Sequence, residues 1–75
     1  MNLKVTGEQK FQVLAHSMTI GYSESGYTLC YGAGDGNFTE WDEATSANEV
    51  CMVVNFAKGT YFYLKNNVGE VTINY

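Results

Sequence analysis

The sequence predicts an all-β domain, a small antiparallel β-sandwich of six to seven short strands. Apolar and polar residues alternate with period two from Phe11 onward, and no window carries a sustained helical stripe. Turn signals recur at intervals of about ten residues, the spacing of a sandwich or barrel. The chain has no proline to demote any strand.

Each element follows from its residues. Residues 1–10 are polar and are expected to form an edge strand or a mobile arm of a single domain spanning residues 1–75. "FQVLA" (Phe11–Ala15) is a short strand, and "MTIGY" (Met18–Tyr22) places Met18, Ile20 and Tyr22 on one face. "SESG" turns the chain into "YTLCY", where Tyr27, Leu29 and Tyr31 lie together. A glycine loop follows, then the strand "FTEW", then "ATSAN" as a polar connection. "EVCMVVNF" (Glu49–Phe56) is apolar throughout, as a central strand covered on both sides would be. In "TYFYLK", Phe62 and Leu64 oppose Tyr61, Tyr63 and Lys65, and in "EVTINY" Val71, Ile73 and Tyr75 share a face.

The loop "YGAGDGNFTEW" is the one stretch with the look of a motif. Gly32, Gly34 and Gly36 surround Asp35, but a dinucleotide fingerprint needs G-x-G-x-x-G opening a helix, and a strand follows here. Asp35, Asn37 and Glu40 fall short of the ligand pattern of a calcium loop. Asp-Gly between aromatic and β-branched residues is a hairpin signal, because both positions tolerate positive φ. The loop turns a strand.

Composition excludes several classes of partner and chemistry. Four lysines and no arginine against eight acidic residues give a net charge of −4, which leaves no footprint for nucleic acid and disfavours anionic membranes. One histidine, His16, and two cysteines, Cys30 and Cys51, form no metal-ligand spacing, and no cofactor is expected. The N-terminal "MNLKVTGEQK" lacks an apolar signal region, so the expectation is a reducing cytoplasm and unbonded cysteines. His16 belongs in an exposed turn and each cysteine among core-type residues, so neither thiol has the electropositive setting of a nucleophile. In "EWDE", strand alternation separates Glu40 and Asp42 from Trp41 and Glu43, the pattern of a solvated face beside a buried tryptophan. An enzyme is not expected.

A domain of 75 residues buries a limited share of its surface, and its 15% aromatic content is high for so little interior. Docking or self-association is therefore the expected extra source of stability. Tyr61, Tyr63 and Lys65, with Tyr75, form the candidate interaction surface, because aromatic side chains bury area at low entropic cost. Cross-strand tyrosine pairing on a half-exposed sheet is the alternative reading of the same strip. Both termini provide strand-like material for pairing with a neighbour.

The run "GYTLCYGAGDGNFTEWDEATSANE" resembles the central hairpin of bacterial immunoglobulin-like and fibronectin type III-like modules, where Y-S-x-D-G-x-x-W/F-T recurs. "GTYFYLK" followed by "GEVTINY" resembles their last two strands, so the likeness covers residues 18–75, without the Cys…Trp…Cys arrangement of antibody-type domains. The resemblance implies an Ig-like sandwich of the kind found in accessory virion proteins of tailed phages, which decorate capsids or fibres. It implies a non-enzymatic structural protein, virion-associated, that self-associates as a homo-oligomer or docks on a larger virion scaffold. A carbohydrate- or ligand-binding module using the aromatic strip and Trp41 is the alternative, with a glycan as partner.

Overall fold

A computed structural model describes the backbone of residues 1–46 and 50–75 and the side chains of residues 1–41 and 50–75. Two four-stranded antiparallel sheets face one another, and the described residues contain no helix. The eight strands are β1 (Asn2–Thr6), β2 (Phe11–Val13), β3 (Ser17–Ile20), β4 (Tyr27–Gly32), β5 (Phe38–Ser46), β6 (Cys51–Val54), β7 (Thr60–Lys65) and β8 (Glu70–Asn74). The first sheet runs β1-β8-β3-β6 and the second β2-β7-β4-β5. The all-β sandwich expected from the sequence is thus present.

Period-two alternation builds the core. Val5, Val13, Ile20, Leu29, Phe62, Leu64 and Ile73 are fully enclosed between the sheets, and Phe11, Met18, Val53, Phe56 and Val71 complete the layer. Enclosing such side chains stabilises by about 1.5–3 kcal/mol each, which is the main force opposing chain entropy. Phe62 alternates with Tyr61 and Tyr63 as the pattern requires, and Val71 alternates with Thr72.

Several elements differ from expectation. The segment at Glu49–Phe56 does not form a central strand covered on both sides: β6 is the edge of the first sheet, and Met52 and Val54 are exposed. Glu49 itself lies outside the described residues. An apolar run marks a buried strand only if both faces find cover, and in β6 only the face of Cys51 and Val53 does. "ATSAN" is not simply a connection, because β5 runs on through Ala44, Thr45 and Ser46, with Thr28 opposite Thr45 and Tyr27 opposite Ser46. Ala47 and Asn48 lie outside the described residues.

The termini also differ. Residues 2–6 form an edge strand, β1, paired with β8 along its whole length. β8 is therefore an interior strand between β1 and β3, not open material for a neighbour. Tyr75 N–H donates to Met1 O at 3.0 Å, which closes the pair of ends. β4 pairs with β7 without interruption, so Leu29 lies beside core-facing Leu64 and Cys30 beside outer-facing Tyr63. The register shift between Thr28 and Cys30 is taken up by extra residues in β5, and Tyr31 emerges at the rim. Tyr22 lies past the end of β3 and is exposed, off the face that holds Met18 and Ile20.

Candidate functional site

The glycine loop is the hairpin connection between β4 and β5. Asp35 Oδ1 accepts the Asn37 N–H at 3.0 Å, an Asx turn that holds the Asp35 carboxyl below the usual carboxylate range. Gly34 lies directly against the ring of Tyr61: a Cβ there would sit 2.6 Å from Tyr61 Cε1. The loop therefore folds back over the outer face of the second sheet.

That outer face carries three of the residues expected at an interaction surface. β7 presents Tyr61, Tyr63 and Lys65 away from the core, each half-buried. Register sets Gln12 beside Tyr61, Cys30 beside Tyr63 and Thr28 beside Lys65. The sequence strip also gains Phe38, whose ring packs edge-on against Tyr63 at 5.0 Å, with Lys10 Nζ 5.5 Å from the Phe38 centroid. Lys65 Nζ is 3.0 Å from Glu40 Oε2, and that carboxylate raises the Lys65 pKa. A hydrogen bond with the Cys30 thiol, and then burial, push the Tyr63 hydroxyl above the ordinary tyrosine value. Tyr75 is not part of this face. It ends the first sheet, packs against the core, and its hydroxyl donates to Met1 Sδ at 3.2 Å.

A concavity lies beside this face, at the rim of the sandwich. A cleft of about 580 Å³ is lined by Tyr31, Trp41, Phe56, Asn55, Thr60 and Glu40. Asn55 adopts φ 66°, ending β6 with a left-handed turn that swings Phe56 inward. His16 Nδ1 donates to Phe56 O at 2.9 Å and fixes that turn. Trp41 then packs edge-on to Tyr31 at 5.3 Å and to Phe56 at 6.4 Å, and Phe56 packs on Phe62 at 5.0 Å. Trp41 is accordingly half-buried rather than core, one wall of a cleft whose floor continues into the interior. Glu40 belongs to both surfaces, at the cleft rim and in the pair with Lys65.

The residues weighed for catalysis are not gathered. His16 sits exposed in the bend between β2 and β3, Cys30 is buried in the second sheet, and Cys51 is half-buried in the first. Both cysteines are free. Among the described residues no three His, Cys, Asp or Glu side chains come together, and the side chains of Asp42 and Glu43 lie outside them.

Sequence alternation placed Tyr61, Tyr63 and Lys65 on one face, and it singled out Trp41. It did not foresee that Tyr31, Phe56 and Asn55 would build a separate cleft around Trp41. The "NF" pair after an apolar run, with Asn tolerant of positive φ, was the available signal. Comparison with family models, curated proteins and solved structures finds no match for the chain.

Proposed function

We propose that this chain is a non-enzymatic interaction module that binds through two neighbouring aromatic surfaces. These are the Tyr31–Trp41–Phe56 cleft and the outer face of Tyr61, Tyr63 and Phe38. The observation that carries this reading is the Trp41 cleft itself, a concavity of about 580 Å³ that joins aromatic walls to a few polar groups. Such a combination is the usual form of a binding site, with rings supplying area and polar groups supplying orientation.

Two occupants fit these surfaces. A protein scaffold is the first, because half-buried tyrosines beside a Lys65–Glu40 pair form an aromatic centre with a polar rim. The accessory virion role is the narrower form of this reading and rests on the hairpin resemblance alone. A saccharide is the second, favoured by the position of Glu40, Asn55 and Thr60 around the Trp41 ring.

Trp41 is the single tryptophan, so its fluorescence reports on the cleft alone. Titration with a saccharide panel at millimolar concentration separates the two occupants. A saturable change that Trp41→Phe moves or abolishes establishes the saccharide. With no change, a photo-crosslinker at position 63 captures the scaffold partner in source material. Crosslinks formed equally well from position 70, on the other sheet, would sink the assignment of this face.

A further inference from the structure

We infer that β6 is a self-pairing edge through which two copies of this chain join their first sheets about a two-fold axis. The inference starts from how the sandwich treats its open sides. Its edge strands are β1 and β6 in one sheet and β2 and β5 in the other. An unpaired edge invites another strand, and proteins blunt it with charge, brevity, proline or a bulge. β1 carries Lys4, paired with Glu70 at 3.9 Å. β2 is three residues long and follows Lys10. β5 carries Glu40, Asp42 and Glu43 in its sequence. β6, "CMVV", is one residue longer than β2 and carries neither charge nor proline.

Its described neighbours on the outer face are uncharged, and Glu49, which precedes Val50 in sequence, lies outside the described residues. Met52 is 72% exposed, Val50 63% and Val54 44%. Across the register Met52 faces Thr19 and Val54 faces Ser17, and Thr19 in turn faces Asn74 on β8. This end of the outer sheet face is a flat strip of uncharged side chains, while the Lys4–Glu70 pair lies at the far edge.

Charge selects a second copy as the occupant. Two chains of net charge −4 repel, and a shared edge must avoid setting like charges opposite one another. Pairing β1 with its own copy sets Lys4 near Lys4, and pairing β5 sets acidic residues near acidic residues. Among the edge strands, β6 is four residues long and free of charge, so it meets its copy without setting like charges opposite.

Register follows from the pleat. Antiparallel partners share a face only if a residue meets one of the same parity, otherwise Met52 would be turned inward. The pairing centred on Met52 sets Met52 opposite its copy, Cys51 opposite Val53, and Val50 opposite Val54, so every pair is uncharged. The left-handed Asn55, at φ 66°, ends the paired segment. The interface is isologous, and it merges the two first sheets into one.

Sedimentation and native mass measurements from about 10 micromolar to about 1 millimolar cover the range of so small an interface. Wild-type chain is expected to dimerise with concentration, and Met52→Lys to weaken the dimer about tenfold or more by placing like charges opposite. Cys51→Ser with Met52→Cys is expected to crosslink as a disulfide dimer under mild oxidation, because opposed strand residues approach within about 5.5 Å. Cys51→Ser with Thr72→Cys, on the same outer face but away from the edge, is the control and is expected to stay monomeric. A wild-type chain monomeric throughout, a Met52→Lys chain that dimerises as well as wild type, or equal crosslinking by the control would each overturn the pairing. Should Met52→Lys fail to fold, the crosslinking pair decides alone. The Trp41 titration reads a different surface, so failure there leaves this result standing.

Discussion

Ser23 Oγ donates to Asn67 Oδ1 at 2.7 Å, a hydrogen bond between the two buried polar side chains of the described structure. The same Asn67 donates through Nδ2 to Gly7 O at 3.0 Å and to Gly69 O at 3.2 Å. Val68 N–H adds a bond to Ser25 Oγ at 2.9 Å. One asparagine thus fastens the turns after β1, β3 and β7, and it does so where water does not reach.

Removing it leaves several buried groups without partners, and an unmade buried hydrogen bond costs more than a made one contributes. Asn67→Ala should destabilise by about 2–3 kcal/mol, lowering Tm by roughly 10 °C or more in so small a domain. Ser23→Ala should cost less, about 1 kcal/mol, because Ser25 Oγ also lies near Asn67 Oδ1 at 3.4 Å. Thermal and denaturant unfolding measure both. Equal and small effects would mean that the turns are held by their backbones alone.

This latch marks the limit of what the sequence alone conveys. Alternation identified the core face of β7 and β8, since Phe62, Leu64, Val71 and Ile73 are buried for the reason their spacing gives. Between β7 and β8 nothing local distinguishes a solvated asparagine from one enclosed by two other turns, 60 and 44 positions earlier in the chain. The misreading of β6 has the same origin. Apolar content reports a preference for burial, whereas sheet order decides which strand obtains it, and order depends on pairings such as β1 with β8. Trp41 was identifiable as a candidate, but its cleft depends on Phe56 arriving from another strand end.

The glycine loop gives a paired test. Gly34 and Gly36 have φ of 90° and 92°, where a side chain is strained. A Cβ at Gly36 meets nothing within 4 Å, so Gly36→Ala should cost only that strain, about 1–2 kcal/mol. At Gly34 the added carbon meets the Tyr61 ring as well. Gly34→Ala should therefore cost more than Gly36→Ala and shift the Tyr61 ring resonances, which Gly36→Ala should leave in place. Unfolding and aromatic NMR spectra check the contrast; equal costs would mean that the loop does not rest on Tyr61.

Tyr63 ties stability to alkaline pH. The Cys30 hydrogen bond and burial raise its ionisation above the ordinary 10.0. A folded-state value above the unfolded one means that the folded chain keeps this proton longer. The contribution is complete below the ordinary tyrosine value and is lost as pH rises through the raised one. Alkaline titration followed by tyrosinate absorbance should show a late step that Tyr63→Phe removes. Cys30→Ala should bring that step down toward 10.0 and flatten the alkaline fall in stability. A step that Cys30→Ala leaves unmoved would assign the shift to burial alone.

Phe56 connects the candidate site to the core. Its ring sits between Trp41, at 6.4 Å, and Phe62, at 5.0 Å, and Phe62 stacks on Phe11 at 5.8 Å. The chain of rings begins in the cleft and ends in the interior, so the cleft floor is as rigid as the core beneath it. Phe56→Ala should remove about 3–5 kcal/mol, a large part of the stability of a small domain. Phe56→Leu keeps most of the volume and should cost about 1–2 kcal/mol while removing the edge-to-face contact with Trp41. In that variant Trp41 gains freedom, so its emission should shift to the red in a chain that remains folded. Any ligand that uses the Trp41 ring should then bind more weakly, because the ring is no longer held in place before binding. If the emission and the binding of Phe56→Leu both match wild type, Trp41 is held by Tyr31 and the strand, and the cleft is independent of the core.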